Sequence, residues 1–338
     1  MKIFIHSTHR AEETNLIRML QFFNFDITGN FDVWSKQRPS IVGVNDPASS
    51  LPEDIIIRDR ELRTTVEDMA GVDFYLSMES ADFPERLAHY AEMGLPVAVE
   101  LFGQESKEQD ERLLPVVAKY PHVHLVPYSP TIVDRYAKLG VPRNQIHLIR
   151  FGLIPEEFQQ PVGWLGDITG VFCAHNSIHR RGVGCGWTIM KEIFRLIEAN
   201  CFFCGNETDK VGGLGELSFD ALRWMYKRCT VYLSMGTIPA PYTLTPIEAM
   251  MTGTPIVFYD NGAGIMNEEW AQFAVSGGGL ISNDTQQIAE YIAKVLDNSI
   301  DPQMLSEISL KVAMTYFDAR KNGVKWASLI ERYRALDL

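Results

Sequence analysis

The chain has 338 residues and a formal net charge of -12 at pH 7, with 46% hydrophobic and 22% charged residues. That balance is too apolar for a disordered chain and too polar for a membrane bundle, and the length suits two domains, each able to bury its own core. The acid excess argues against a broad basic footprint for nucleic acid or anionic lipid, and no run of 18 apolar residues is present to cross a bilayer.

Taken in chain order, Lys2 to Ser7 reads as a strand and Ala11 to Phe23 as a helix with Leu16, Met19, Leu20 and Phe23 on one face. The opening apolar run Ile3-Phe4-Ile5 is broken by His6, so neither a signal nor a transit peptide is expected. Asp73 to Met78 is strand-like, Pro84 to Met93 helical, and Pro96 to Leu101 a buried strand introduced by Gly94. Val123 to Pro127 is a further strand, followed by a helix near Thr131 to Leu139 that stops at Gly140, and Ile146 to Ile149 reads as one more strand. Strands alternating with helices at this spacing imply parallel βαβ units.

The stretch Phe151 to Gly170 contains Pro155, Pro161, Gly163 and Gly166 without sustained periodicity and reads as a connection between domains. The alternation then restarts: strands at Ile168 to Ala174, Cys201 to Cys204, Val231 to Ser234 and Pro255 to Tyr259 are separated by helices at Trp187 to Ala199, Ser218 to Lys227 and Pro246 to Thr252. A last helix spans about Gly323 to Leu336. The fold class expected is α/β, with two doubly wound, Rossmann-like halves facing each other across a cleft. The divisions are 1–155, 166–315 and a terminal segment 316–338. In open α/β sheets ligands lie beyond the carboxyl ends of the strands, so chemistry is expected on the loops that follow them.

All five cysteines fall between Cys173 and Cys229, which is no framework for a secreted scaffold, and a reducing cytoplasm is the expected compartment. The sequons at Asn206 and Asn283 are then chance matches. Cys201 and Cys204 fall in one predicted strand, three apart, so their thiols point to opposite faces and suit core packing better than a metal. Gly212-Gly-Leu-Gly215 lacks both the spacing and the preceding strand of a phosphate loop and reads as a flexible connection.

The most informative segment runs from Gly236 to Phe258. Thr245, Pro246 and Glu248 have the spacing of an N-cap hydroxyl, a first-turn proline and a capping-box carboxylate, and Gly253 stops the helix. A loop ahead of a helix N-terminus suits a diphosphate, although Glu248 closing the capping box would need no ligand.

Pro246-Ile-Glu-Ala-Met-Met-Thr-Gly-Thr-Pro-Ile-Val257 resembles the signature of retaining glycosyltransferases of the GT-B fold, in family four, which includes sucrose and glycogen synthase relatives. Val141 to Phe158, Leu222 to Ser234 and Val324 to Tyr333 are similar to further segments of that family, the last to a helix that crosses back to the first domain. The resemblance implies that Glu248 holds the ribose of a nucleotide sugar and that the amides from Tyr242 to Thr245 hold its diphosphate. It also places Gly205 beside the nucleotide and Leu217 against the base. The implied donor site is Asn176, Ser177, Arg180, Gly205, Leu217, Tyr242, Thr243, Leu244, Thr245 and Glu248, with Arg180 stabilising the leaving group.

The chain also departs from the pattern. Ala240 stands where the family carries a second glutamate, and Cys185 where it carries a lysine; His179 or Arg181 can supply that charge. For the acceptor side, Phe102-Gly103 stands where relatives place a His-Asp pair. Glu100 is then the candidate catalytic carboxylate, beside Glu105 and His9 as alternatives. No Asp-x-Asp is present, so transfer without a metal and with retention is what the resemblance implies.

The expected co-substrate is a UDP- or GDP-sugar, with no permanently bound cofactor and no metal site. The acceptor is a hydroxyl of an envelope saccharide or glycoconjugate. Two alternatives stay open. Met225 to Ser234 and the residues from Glu248 to Phe258 also resemble a phage enzyme that glucosylates hydroxymethylcytosine in DNA, against which the net charge weighs. Ala240 and Cys185 instead fit a module that binds nucleotide sugars without turnover.

Overall fold

Five short segments of the first part of the chain pair side by side as parallel strands: β1 (Lys2–Ser7), β2 (Asp26–Asn30), β3 (Phe74–Met78), β4 (Val97–Leu101) and β5 (Val123–Pro127), in the order β2-β1-β3-β4-β5. The computed structural model describes residues 1–7, 10–30, 70–78, 83–103, 105–175, 178–238 and 243–334. These fall into two compact units. One takes in the described residues up to Gly152 together with the chain from Ala319 onward, and the other runs from Leu153 to Asp318.

In the first unit β3, β4 and β5 are buried along their whole length, as parallel strands covered by helices on both faces must be. The helices are α1 (Arg10–Gln21), α2 (Phe83–Glu92), α3 (Lys107–Lys119) and α4 (Pro130–Lys138). Ser106 caps α3 in a full capping box with Gln109, and Ser129 caps α4 ahead of Pro130. The core joins Phe4, Tyr75, Leu87, Val99, Leu113, Leu125 and Tyr136. The predicted strand at Ile146 to Ile149 is a correction. Only a single bridge, Leu125 to Ile146, forms there. A 3-10 turn at Arg143–Gln145 leads into it, and Gln145 turns its amide inward to the carbonyls of Val117 and Val123 at 3.0 and 2.9 Å.

The terminal helix, Ala319–Arg334, packs on α1 within this first unit. Gly323 permits the approach, since a Cβ there would lie 3.1 Å from the Met19 carbonyl oxygen. Trp326 is fully buried, Asn322 Nδ2 donates to the Phe151 carbonyl at 3.0 Å, and Tyr333 packs on the rings of Phe74 and His124. His124 Nδ1 lies 2.9 Å from His147 Nε2. Burial drives the His124 imidazole down from 6.5 to about 3 and lowers His147 as well.

The second unit repeats the plan. Its strands are β6 (Ile168–Ala174), β7 (Asn200–Cys204), β8 (Cys229–Ser234), β9 (Ile256–Tyr259) and β10 (Leu280–Ser282), all parallel in the order β10-β9-β8-β6-β7. Its helices are α5 (Pro155–Gln159), α6 (Ile178–Arg181), α7 (Trp187–Leu196), α8 (Phe219–Arg228), α9 (Leu244–Thr252), α10 (Glu269–Val275), α11 (Thr285–Leu296) and α12 (Pro302–Tyr316). The segment read as a connection contains α5 and then lies along α8, where the amides of Leu165 and Gly166 donate to the Lys227 carbonyl at 2.8 and 3.1 Å. Both units are therefore Rossmann-like α/β sheets. No helix of the described residues is long and apolar enough to cross a membrane.

Candidate functional site

In the second sheet the strand order reverses between β6 and β8, and their carboxyl ends form the switch point where an open α/β sheet takes a ligand. His175 follows β6 directly. Its Nε2 lies 2.9 Å from the Gly236 carbonyl oxygen and 3.0 Å from Thr237 Oγ1. A carbonyl only accepts, so the proton sits on Nε2. The backbone joins the same two loops, since the Ile238 amide donates to the Gly184 carbonyl at 2.8 Å. Gly236 has φ 66°, and Asn261 Nδ2 donates to the adjoining Met235 carbonyl at 2.9 Å. Cys185 is buried against the Thr237 hydroxyl, and burial raises its thiol above the usual range. At the position where a lysine is expected, the chain thus has a neutral group that ties one loop to the other.

Helix α9 begins two residues earlier than its sequence suggests, which corrects the reading of Thr245 and Glu248 as cap and capping box. Thr243 is the N-cap, and its side chain makes no capping bond. Pro246 is accommodated at the third helical position because the first four N–H groups of a helix have no intrahelical acceptor. Glu248 therefore falls in the second turn and turns inward. It is 1% exposed, and Oε2 accepts from the Tyr226 hydroxyl at 3.1 Å. Thr245 lies beside the buried Tyr232 hydroxyl, which donates to the Ala174 carbonyl at 3.0 Å. A small recess opens in front of the helix, lined by Ser234, Gly236, Thr243, Phe258, Tyr259, Asn261, Ala263 and Ile265.

Beyond β7, Gly205 takes φ 148° and opens a loop that closes on itself. The buried Thr208 hydroxyl donates to the Gly205 carbonyl at 2.9 Å and accepts from the Gly215 amide at 3.1 Å, while the Gly205 amide donates to the Gly215 carbonyl at 2.9 Å. Gly212 to Gly215, read from the sequence as a flexible connection, is the return arm of this stitched loop. Leu217 follows it, partly buried. Arg180, on the short helix α6 that follows β6, reaches Glu207 of this loop at 3.3 Å, and Lys210 takes the other carboxylate oxygen at 2.7 Å. The lysine's hydrogen bond and charge, followed by the Arg180 charge, hold the Glu207 carboxyl below its ordinary range.

The carboxyl edge of this sheet thus collects Arg180, Gly205, Thr243, Leu244, Thr245 and Glu248. Asn176, Ser177 and Tyr242, also expected there, lie outside the described residues. His175, Thr237, Tyr226 and Glu207 were missed. A histidine placed directly after a predicted strand was the one available signal among them. In the first unit Glu100 is wholly buried in β4. Glu105 accepts from the amides of Phe102 and Gly103 at 2.8 and 3.1 Å through Oε1, and Oε2 lies 3.5 Å from Arg135. Burial nonetheless raises its carboxyl above the usual value. Glu105 is committed to shaping the loop after β4, and His9 lies outside the described residues. Cys201 and Cys204 carry free thiols, and among the described residues no group of three or more His, Cys, Asp or Glu side chains is arranged to hold a metal.

Residues 205–312 match the family model of glycosyl transferases group 1. The whole fold is similar to that of Anabaena Alr3699/HepE, solved in complex with UDP and with UDP-glucose. For the UDP complex the TM-score is 0.71 at 12% identity, over 98% of this chain and 99% of that one. A glycosyltransferase from Rickettsia africae ESF-5 superposes with a TM-score of 0.73 at 10% identity, covering 98% of each chain. The lipopolysaccharide outer core galactosyltransferase WaaB gives 0.60 at 11% identity, over 98% of this chain and 99% of that one. No curated relative matches by sequence. The second unit thus matches the glycosyl transferases group 1 model, and the chain across its length has the GT-B fold of solved glycosyltransferases.

Proposed function

We propose that the chain transfers a sugar, with retention and without a metal, from a nucleoside-diphosphate sugar to a hydroxyl acceptor. The observation that carries this reading is Glu248, a buried carboxylate anchored by Tyr226 behind a helix N-terminus whose cap residue supplies no side-chain bond. Uncapped first-turn amides suit a diphosphate, and an acceptor carboxylate behind them suits the two ribose hydroxyls. As the sugar–oxygen bond breaks, charge builds on the diphosphate. In this reading the amides from Tyr242 to Thr245, together with Arg180, stabilise it, with Asn176, Ser177, Gly205 and Leu217 as the remaining donor contacts.

The donor is a UDP- or GDP-sugar; HepE, of like fold, was solved with UDP-glucose, which favours uridine. The acceptor is an envelope saccharide or glycoconjugate, with Glu100 the carboxylate to test on that side, and DNA is disfavoured by the net charge. A second reading, binding without turnover, is favoured by the Arg180–Glu207 pair and the neutral Cys185. The pair is exposed and weak enough for a diphosphate to exchange with Glu207, so transfer is the better reading.

The test is release of free nucleotide from a panel of nucleotide sugars in excess EDTA, with the Glu248→Gln variant alongside. Release in EDTA, with the donor KM raised about tenfold to a hundredfold in the variant, is expected for the loss of a charge-assisted bond. Binding without release from any donor would establish the non-catalytic reading, and release only after Mg²⁺ is restored would overturn metal independence. The anomeric configuration of the product, read by NMR, decides retention.

A further inference from the structure

The first sheet has its own switch point, between β1 and β3, and polar side chains gather on one face there. His6 lies opposite Ser77 in register, and Tyr75, two residues before Ser77, shares that face. Arg86, on α2, brings Nη1 into hydrogen-bonding contact with His6 Nε2. A guanidinium only donates, so Nε2 accepts and the imidazole proton sits on Nδ1. The ring is therefore neutral and does not itself offset the guanidinium charge.

No carboxylate pairs with Arg86 among the described residues, in a protein with twelve more acidic than basic side chains. Glu100 cannot serve, because it stands in register with Met78 and so belongs to the opposite face. Two buried hydroxyls lie beside the guanidinium, and the Tyr75 hydroxyl is within interaction range of both Arg86 and Ser77. Tyr75 Oη and Ser77 Oγ are each fully buried with no hydrogen-bond partner among the described residues. The Arg86 charge reaches the Tyr75 hydroxyl, where it offsets part of the burial that raises that group's pKa. Helix α2 starts at Phe83, shortly after β3 ends, so its positive end adds to the same edge.

A half-buried cation with no carboxylate partner among the described residues, next to two buried hydroxyl donors at a switch point, is the chemistry of an oxyanion receptor. We propose that Arg86, with Ser77 and Tyr75, holds a phosphate or carboxylate carried by the acceptor, so that the substrate on this side is a phosphorylated or acidic hydroxyl compound. The assignment rests on the glycosyl-transfer reading only for the word acceptor. The anion site itself is independent of the donor pocket.

The experiment is calorimetric titration of the full chain, with UDP kept saturating so that the donor pocket is occupied, using glycerol 3-phosphate and, separately, glucuronate. Wild type is expected to bind at least one of them, Arg86→Gln to lose at least about tenfold in affinity, and Arg86→Lys to stay within about threefold. Melting curves show whether each variant is folded, and Arg86→Lys retains the charge if Arg86→Gln is not. Failure to bind UDP would count against the donor reading alone. The titration would then be run in the Arg180→Ala chain, which lacks the other guanidinium assigned to an anion. Sedimentation with phosphatidylglycerol vesicles, against phosphatidylcholine, separates the sources. Arg86-dependent pelleting assigns the anion to a lipid headgroup, and glycerol 3-phosphate binding without pelleting assigns it to a soluble acceptor. Wild-type protein that binds no anion, or Arg86→Gln binding as well as wild type, overturns the proposal.

Discussion

Glu248 and Tyr226 show how one side chain takes its meaning from another 22 residues away in sequence. A carboxylate that is 1% exposed needs donors, and the Tyr226 hydroxyl on α8 is one of them. Tyr226→Phe removes that donor and leaves the volume almost unchanged. Urea denaturation should show a loss of about 1–3 kcal/mol, the cost of leaving a buried acceptor less satisfied, and the donor KM should rise with it. Thr208 is the corresponding device in the loop after β7, where a single hydroxyl bridges Gly205 and Gly215. Thr208→Val should leave the strands intact and speed hydrogen exchange at the Gly215 amide, because that amide loses its acceptor.

At the scale of elements, α9 stops where Gly253 adopts φ 91°, with the amides of Gly253 and Thr254 turned back to the carbonyls of Met250 and Ala249. Gly253→Ala forces an L residue into the left-handed region and should cost about 1–2 kcal/mol, seen as a lower denaturation midpoint at unchanged m-value. The stop of this helix was legible in the sequence, and its start was not. Thr243 and Thr245 are both residue types that cap helices, and the sequence does not say which of them does. The same contrast runs through the sheets. Strands β3, β4 and β5 are buried throughout and were readable from their apolar runs. The edge strand β2, Asp-Ile-Thr-Gly-Asn, has too little apolar character to announce itself. Its Gly29 is needed because a Cβ there would come within 2.9 Å of the Ile5 carbonyl carbon. Ile146 to Ile149 has strand-like composition and runs along the free edge of β5, where the His147 and Ile149 amides donate to the Leu125 and Pro127 carbonyls at 2.9 and 3.3 Å, but it gains only one bridge. The expected donor residues rest on a shared signature. His175 and Arg86 belong to no such signature, and what marks them out is their surroundings in three dimensions.

For the whole molecule, charge sets two expectations. With a net charge of -12, turnover should change little between 50 and 200 mM salt, whereas an enzyme contacting 6–10 DNA phosphates would lose about 10³–10⁵ in affinity. A steep loss of activity would reinstate DNA as the acceptor. Acid should weaken the fold through His124. Its imidazole takes a proton near 6.5 when unfolded and only at about 3 when folded, so the unfolded chain binds more protons across that window. Stability is therefore complete above about pH 6.5 and falls as the pH drops toward 3, by up to roughly 1.4 kcal/mol per pH unit from this group. His124→Asn should flatten that part of a stability–pH curve relative to wild type.

The terminal helix belongs to the first unit, although the whole second unit is made before it. During synthesis the opening 152 residues must leave the ribosome and wait, with Met19, Phe74 and His124 lacking their covering side chains, until the last turns of polypeptide emerge. The later-made unit can thus finish folding first. A nonsense codon anywhere before Ala319 would damage the beginning of the protein as surely as its end.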